Sequence, residues 1–364
     1  MFFSNPFPDA FGLDIGDLSI KLVQLAAPSR LTPHAGITIK EIRTLNLAPG
    51  LIVNGEIQQP ELVRKKILHL LEGGEGRRRI TSPWVVADLP DPKTFLKLIE
   101  IDTPASELIS DEIVFQAKKH LPFDLEETYL DWQIIDQGGP ASSKSLVLLG
   151  AVPKVVADSY TYLLEAADLK PLALEIEALA ISRTLITRRK DYTGVGRALL
   201  DLGATRSSLI IYDNESVQLS TSLNFSGEIM TTALAQGLGI SHDDAEKLKI
   251  TIGFRQDPSH PKYLSIVAGI IDSLVIEIKK ALSFYSEHFP SANAITHITM
   301  CGGVAAGLGL DEILTHKLKI ASRPVNIWKN LDGVVPPHMN ISESLGLASA
   351  LGLALRAVEN PLKA

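Results

Sequence analysis

Two stretches half a chain apart carry one pattern. Leu13-Asp14-Ile15-Gly16-Asp17-Leu18-Ser19-Ile20-Lys21-Leu22-Val23 and Leu200-Asp201-Leu202-Gly203-Ala204-Thr205-Arg206-Ser207-Ser208-Leu209-Ile210 each run apolar, Asp, apolar, Gly, then a turn and an apolar strand. Apolar segments joined by a glycine turn predict strand, tight turn, strand. A repeat this long is no solenoid unit. It predicts an α/β chain of two related halves, and 364 residues suit about two domains. One Asp-x-Gly turn alone is an ordinary hairpin feature. The pair is what points to function.

A glycine turn that exposes backbone N–H groups is a natural anion site. Two such turns facing each other hold a polyphosphate from both sides. An aspartate beside each would repel phosphate, so it makes sense only through a cation. Asp14 and Asp201 are the candidate Mg²⁺ holders, through water, because Mg²⁺ keeps several of its waters. Lys21 offsets phosphate charge as a point cation. A strand, Ile295 to Met300, runs into Cys301-Gly302-Gly303, and Gly302 and Gly303 let backbone approach a ligand closely. In Ser241 to Lys249, Glu246 and Lys249 are three apart and share a helix face, offering an acceptor and a donor to a diol such as ribose. The plain alternative for that pair is a solvated ion pair.

Between the turns the pattern predicts a strand at Thr38–Leu47, a helix at Gln59–Glu72, a basic loop at Gly73–Arg79 and a buried strand at Trp84–Leu89. Ser106–Leu121 is amphipathic and ends at Pro122. Tyr129–Ile135 and Ser145–Val152 read as strands about a Gly138-Gly139-Pro140 turn. Helices follow at Lys154–Asp168 and Ile176–Ile186, and Ile229–Glu287 is largely helical.

A net charge of −7 argues against a phosphate-backbone binder, a local basic patch aside, so no nucleic-acid partner is expected. The single cysteine, Cys301, forbids an internal disulfide and suits a reducing compartment, where it packs as a small hydrophobe. The nine histidines show no metal-ligand spacing. The N-terminus lacks a signal-peptide pattern, and no apolar run reaches bilayer-spanning length. Arg77-Arg78-Arg79 and Arg188-Arg189-Lys190 are solvated basic runs or, alternatively, surfaces toward anionic lipid.

In their order, the two turns, the Glu246/Lys249 helix and the Gly302-Gly303 turn resemble the first and second phosphate motifs, ribose helix and adenosine motif of the actin, heat-shock chaperone and sugar-kinase superfamily. Glu175-Ile176-Glu177-Ala178-Leu179-Ala180 resembles its first connecting helix, and Glu343 to Leu355 its last. Phe11–Gly16 through Ser19–Leu25, together with Ala117-Lys118-Lys119-His120-Leu121-Pro122-Phe123-Asp124-Leu125-Glu126-Glu127 and Tyr129-Leu130-Asp131-Trp132-Gln133, resemble the PilM family of type IV pilus assembly proteins, close to the cell-division protein FtsA. The resemblance implies an α/β actin-like ATPase fold: two related halves around a nucleotide cleft, with a small α+β insert subdomain. It divides the chain into 1–96 (first half), 97–153 (insert), 154–192 (first half with connecting helix), 193–228 (second core), 229–290 (helical subdomain), 291–340 (second core with adenosine motif) and 341–364 (closing helix).

It further implies an ATP/ADP- and Mg-binding cytoplasmic scaffold at the inner face of the membrane. Such a scaffold recruits the N-terminal peptide of a PilN-like bitopic membrane protein, meets pilus motor or platform proteins and self-associates into a ring. Asp14, Gly16, Ser19 and Lys21 fall on the first phosphate motif; Asp201, Gly203 and Thr205 on the second; Glu246 and Lys249 on the ribose helix; Gly302 and Gly303 on the adenosine motif. Glu177 is the candidate water-orienting residue for at most slow ATP hydrolysis, or else a carboxylate placed against a helix dipole. Other readings are an FtsA-like cell-division tether, which the expected absence of a terminal amphipathic helix after Asn360 disfavours, and a sugar kinase, whose characteristic segments are not evident. One position departs from the family pattern: Asp17 follows Gly16, where a small Ser, Thr or Ala is usual. A carboxylate there weakens phosphate binding unless it contacts Mg²⁺ or turns to solvent.

Overall fold

A computed structural model describes the chain except residues 1–4, 28–35, 75, 136–142, 189, 256–257, 290, 332–335, 337–338, 360 and 362–364. The Gly138-Gly139-Pro140 turn, Arg189 and the final residues from Asn360, apart from Pro361, therefore lie outside the described residues. Two compact units emerge: unit 1 is Met1–Ile186, Trp328–Val335 and Ser349–Ala364, and unit 2 is Thr187–Ile327 and Pro336–Ala348.

Unit 1 opens with the hairpin β1 (Phe11–Ile15) and β2 (Ser19–Ala26), then β3 (Thr38–Asn46), a miniature hairpin β4 (Ile52–Val53) and β5 (Glu56–Ile57), α1 (Pro60–Glu72) and β6 (Trp84–Leu89). β7 (Phe95–Ile101), α2 (Ser110–Ala117), β8 (Thr128–Ile135), β9 (Ser145–Pro153), α3 (Lys154–Ala166), β10 (Lys170–Ile176) and α4 (Glu177–Leu185) follow. The main sheet runs β10-β6-β1-β2-β3, and β9 pairs antiparallel with both β7 and β8. Aliphatic side chains such as Leu13, Leu22, Ile67, Val85 and Leu163, with the fully buried Tyr160, form the core under α1 and α3.

Unit 2 contains β11 (Gly196–Leu202), β12 (Ser207–Asp213), β13 (Ser216–Leu223), α5 (Gly227–Leu238), α6 (His242–Ile252), the long α7 (Pro261–His288), β14 (Ile295–Cys301), α8 (Leu310–Leu318), β15 (Ala321–Pro324) and α9 (Ile341–Leu345). The final helix, α10 (Ala348–Glu359), belongs to unit 1 from Ser349 onward. There Gly352 leaves no room for a side chain, since a Cβ would lie 1.9 Å from the Ala180 carbonyl of α4.

The repeat extends to whole sheets. β1 pairs antiparallel with β2 and parallel with β6, which pairs parallel with β10. β11 likewise pairs antiparallel with β12 and parallel with β14, which pairs parallel with β15. β3 and β13 extend the two hairpins in the same antiparallel sense. The repeated turn sequence is thus the visible part of a repeated five-strand topology.

Three element boundaries differ from the sequence expectation for identifiable reasons. α2 spans only Ser110–Ala117, because Lys119 and His120 N–H groups turn to the carbonyls three residues back and tighten the last turn. The connecting helix starts at Glu177 rather than Glu175. The Glu175 carboxylate, 3% exposed, stays on β10, where Arg183 (2.6 and 2.7 Å) and Arg356 (2.9 Å) hold it. The closing helix is broken between α9 and α10 at Gly346-Leu347. In unit 2 the fully buried Asp213 accepts from Tyr285 Oη at 2.5 Å, from the Asn293 backbone and side chain at 2.7 and 2.9 Å, and from the Asn214 N–H at 2.8 Å. Burial, and then the bond to Asp213, push the Tyr285 phenol well above its ordinary value. No helix among the described residues is long and apolar enough to cross a membrane.

Candidate functional site

In unit 1 the Gly16 N–H donates to the Ser19 carbonyl at 2.9 Å and closes the first turn. Asp14, 5% exposed, sits opposite Lys21 on β2, whose Nζ lies 2.9 Å from Asp14 Oδ2. On the other side of β1, Asp88 follows Ala87, the β6 partner of Leu13. Its Oδ1 accepts the Ile15 N–H at 3.0 Å. Glu177 opens α4 directly after β10, the parallel neighbour of β6. Adjacent strand ends therefore bring Asp14, Asp88 and Glu177 together, with one carboxylate oxygen from each within 4.8 Å of the others. Lys21 pairs with Asp14. The three carboxylates together offer hard oxygens, the type that Mg²⁺ prefers.

Sequence reading placed Asp14, Lys21 and Glu177 at this site and missed Asp88. A signal was present: an aspartate inside the apolar run Trp84-Val85-Val86-Ala87-Asp88-Leu89 is an ionisable group in a strand otherwise built for burial.

Asp17 does not face the site in the way its position suggested. It is 6% exposed, and its Oδ2 and Oδ1 accept the N–H groups of Asn54 and Gly55 at 3.1 Å each. Those two residues form the left-handed turn of the β4–β5 hairpin, with φ of +50° and +76°. Two consecutive backbone donors meet its charge.

In unit 2 the Gly203 N–H donates to the Arg206 carbonyl at 2.9 Å, the same closure as in the first turn. Ala204 and Thr205 occupy the turn, with Thr205 half-buried. The Gly227 and Glu228 N–H groups, at the start of α5, donate to the Gly203 and Ala204 carbonyls at 3.0 and 2.8 Å. Gly227 is where the pieces of this unit meet. A Cβ on it would lie 3.2 Å from Val304, 3.4 Å from the Ala204 carbonyl and 3.4 Å from Lys249 Nζ. Lys249 Nζ donates to the Gly227 carbonyl (3.1 Å) and to Thr231 Oγ1 (2.8 Å), and pairs with Glu246 at 2.6 Å. Burial alone would raise the Glu246 carboxyl, but bonds from Lys249 and Thr231 outweigh it and hold the group below its ordinary value.

Gly302, at φ +83°, packs against the end of β11, where a Cβ would meet the Leu202 carbonyl at 2.4 Å. The Gly303 carbonyl accepts from Ser342 Oγ at 3.0 Å, and the Cys301 thiol donates to Asp201 Oδ1 at 3.3 Å. Asp201, Gly203, Thr205, Glu246, Lys249, Gly302 and Gly303 thus fall on neighbouring elements of one unit. Gly227 and Thr231 were missed, although Ser226 caps α5 with a bond to Ile229 N and marks a helix start there.

This duplicated sheet with duplicated turns defines a member of the actin-like ATPase fold class. Solved structures agree: MreB 5 of Spiroplasma citri bound to AMPPNP has a TM-score of 0.53 at 13% identity, covering 95% of each chain. The ethanolamine utilization protein EutJ of Carboxydothermus hydrogenoformans has 0.56 at 14%, covering 97% of this chain and 92% of that one. The family model for type IV pilus assembly protein PilM matches residues 12–358, and the chain belongs to that family. A solved PilM-PilN type IV pilus biogenesis complex has a TM-score of 0.81 at 23% identity, covering 97% of this chain and all of that one. The cell division protein FtsA of Buchnera aphidicola subsp. Schizaphis graminum is 22% identical over 211 residues. That alignment spans 48% of each protein, so this chain matches about half the length of that curated relative.

Proposed function

We propose that this protein is an ATP-binding scaffold of the type IV pilus inner-membrane assembly complex. It works at the cytoplasmic face of the membrane and takes up the N-terminal peptide of a PilN-like bitopic membrane protein. The observation that carries the nucleotide part is the pair of identically closed glycine turns, each with an aspartate at the same place. The PilM-PilN complex and the nucleotide-bound MreB relative support the partner and the ligand.

Unit 1 offers the turn from Gly16 to Ser19 and Lys21 to the phosphates, and the carboxylates of Asp14, Asp88 and Glu177 to Mg²⁺. Unit 2 offers the turn from Gly203 to Thr205 to the phosphates, Asp201 to Mg²⁺, Glu246 and Lys249 to the ribose, and Gly302-Gly303 to the adenosine. When bound, Mg²⁺ neutralises phosphate charge and tolerates the carboxylates that would otherwise repel it. Glu177 orients water for slow hydrolysis.

Titration of the full chain with a fluorescent ATP analogue, with and without Mg²⁺, tests the ligand. A pull-down with the cytoplasmic peptide of a PilN-like protein tests the partner. We expect Mg²⁺-dependent binding and peptide capture. Absence of any peptide complex, together with efficient phosphoryl transfer to a sugar, overturns the reading. The FtsA similarity supports a second reading, an actin-family cell-division tether, which would co-sediment with anionic vesicles in the absence of a PilN-like peptide.

A further inference from the structure

Asp17 follows Gly16 in the first turn, and its carboxylate is held by a neighbouring hairpin. Both carboxylate oxygens are engaged by consecutive backbone N–H groups, those of Asn54 and Gly55, at 3.1 Å each. Charge-assisted bonds of this kind are roughly twice as strong as neutral ones, and these are made by a residue 6% exposed. The hairpin that receives them is held from other sides as well. Tyr160 of α3, fully buried, donates its Oη to the Gly55 carbonyl at 3.0 Å. Lys93 lies 2.5 Å from Glu56. The Leu47 N–H, just before the hairpin, donates to the Leu18 carbonyl inside the turn at 2.8 Å. The tip of the turn is therefore tied to a small rigid strut, and the strut is tied to α3.

We infer that Asp17 is a positioning residue for nucleotide binding. It fixes the first turn in its phosphate-accepting shape by anchoring it to the β4–β5 hairpin, and Tyr160 braces the far side of that hairpin. The inference rests on the nucleotide reading given above. It also predicts a sign. If the dominant effect of Asp17 were repulsion of phosphate, removing its charge would tighten binding. If it positions the turn, removal loosens binding, because the N–H groups of Asn54 and Gly55 lose their acceptor and the turn loses its anchor.

The test is Mg²⁺-dependent binding of a fluorescent ATP analogue to the full-length chain and to Asp17→Ala, Asp17→Asn and Tyr160→Phe. Melting temperature and amide exchange at Asn54 and Gly55 are measured alongside. We expect about tenfold weaker binding in Asp17→Ala, and an intermediate loss in Asp17→Asn, which keeps one acceptor. Tyr160→Phe, which leaves the turn's own residues intact, should weaken binding several-fold. In the unaltered protein, nucleotide should slow exchange at Asn54 and Gly55. Unchanged or tighter binding in Asp17→Ala, with the parent protein binding normally, overturns the inference and leaves the nucleotide reading standing. A parent protein that binds no nucleotide brings down both. Should Asp17→Ala fail to fold, Tyr160→Phe and the exchange measurement decide, and no change in either overturns the inference.

Discussion

The two turns share a backbone and differ in what surrounds it. In the first, Asp14 lies between Lys21 across the hairpin and Asp88 on the neighbouring parallel strand. In the second, the same two places beside Asp201 hold Ser208 and Cys301. After Asp88 the first unit continues into Leu89-Pro90, and after Cys301 the second continues into Gly302-Gly303. One topology has thus been given a charged face in unit 1, with three carboxylates and the Lys21 ammonium. In unit 2 it has a close-packed face of small residues, suited to backbone approach. Duplication of a sheet fixes where side chains stand, not what they do.

Removing the charge balance of the first turn should have the largest effect. Lys21→Met leaves the buried Asp14 carboxylate without its cation, beside two further carboxylates. Breaking a buried pair costs 3–5 kcal/mol, and because Lys21 is partly exposed we expect about 2 kcal/mol in chemical denaturation. An unchanged stability would mean that Lys21 does not balance the Asp14 charge.

The glycines of the two turns should then separate. A Cβ on Gly203 would lie 2.5 Å from the Arg206 carbonyl, whereas on Gly16 the nearest atom is 3.3 Å away. Gly203→Ala should cost about 2 kcal/mol by overpacking, and Gly16→Ala within about 0.5 kcal/mol, partly offset by a less flexible unfolded chain. Equal losses in thermal melts would show the turns to be sterically alike after all.

Asp88→Asn keeps an acceptor for the Ile15 N–H and removes one of three clustered charges. In EDTA the variant should gain about 1 kcal/mol. With Mg²⁺ and ATP it should lose much of the ligand-induced rise in Tm. A variant that is destabilised in EDTA would deny the repulsion.

The smallest expected effect belongs to unit 2. Glu246 is held below its ordinary value of 4.5 by Lys249 and Thr231 against the opposing effect of burial. A carboxyl with a lowered folded pKa contributes stability that is present above its unfolded value and is lost as pH falls through the folded one. Below about pH 4.5, Glu246→Gln should therefore lose stability less steeply than the parent chain. Parallel pH profiles would remove the pair from the stability balance.

Much of the fold was legible because turn chemistry and apolar period are local. The glycine hairpins, α1, β6, α3 and β14 stand close to where the pattern placed them. The β4–β5 hairpin was not read, although Asn54-Gly55 is a strong turn signal, because its strands are only two residues long and show no period. Asp17 shows the same limit from the other side. Its neighbours in sequence suggested repulsion of phosphate, and the partners that satisfy it lie 37 and 38 residues away.

By itself the sequence determined that the chain is a duplicated α/β protein with an aspartate and a glycine at each repeated turn. Those features follow from backbone geometry within a dozen residues. Only the tertiary structure decided that Asp88 and Glu177 join Asp14, that Gly227 gathers the elements of the second unit, and that Asp17 anchors a hairpin. Each of these depends on contacts between elements far apart in the chain. Parallel pairing joins strands far apart in the chain, so no local pattern records it.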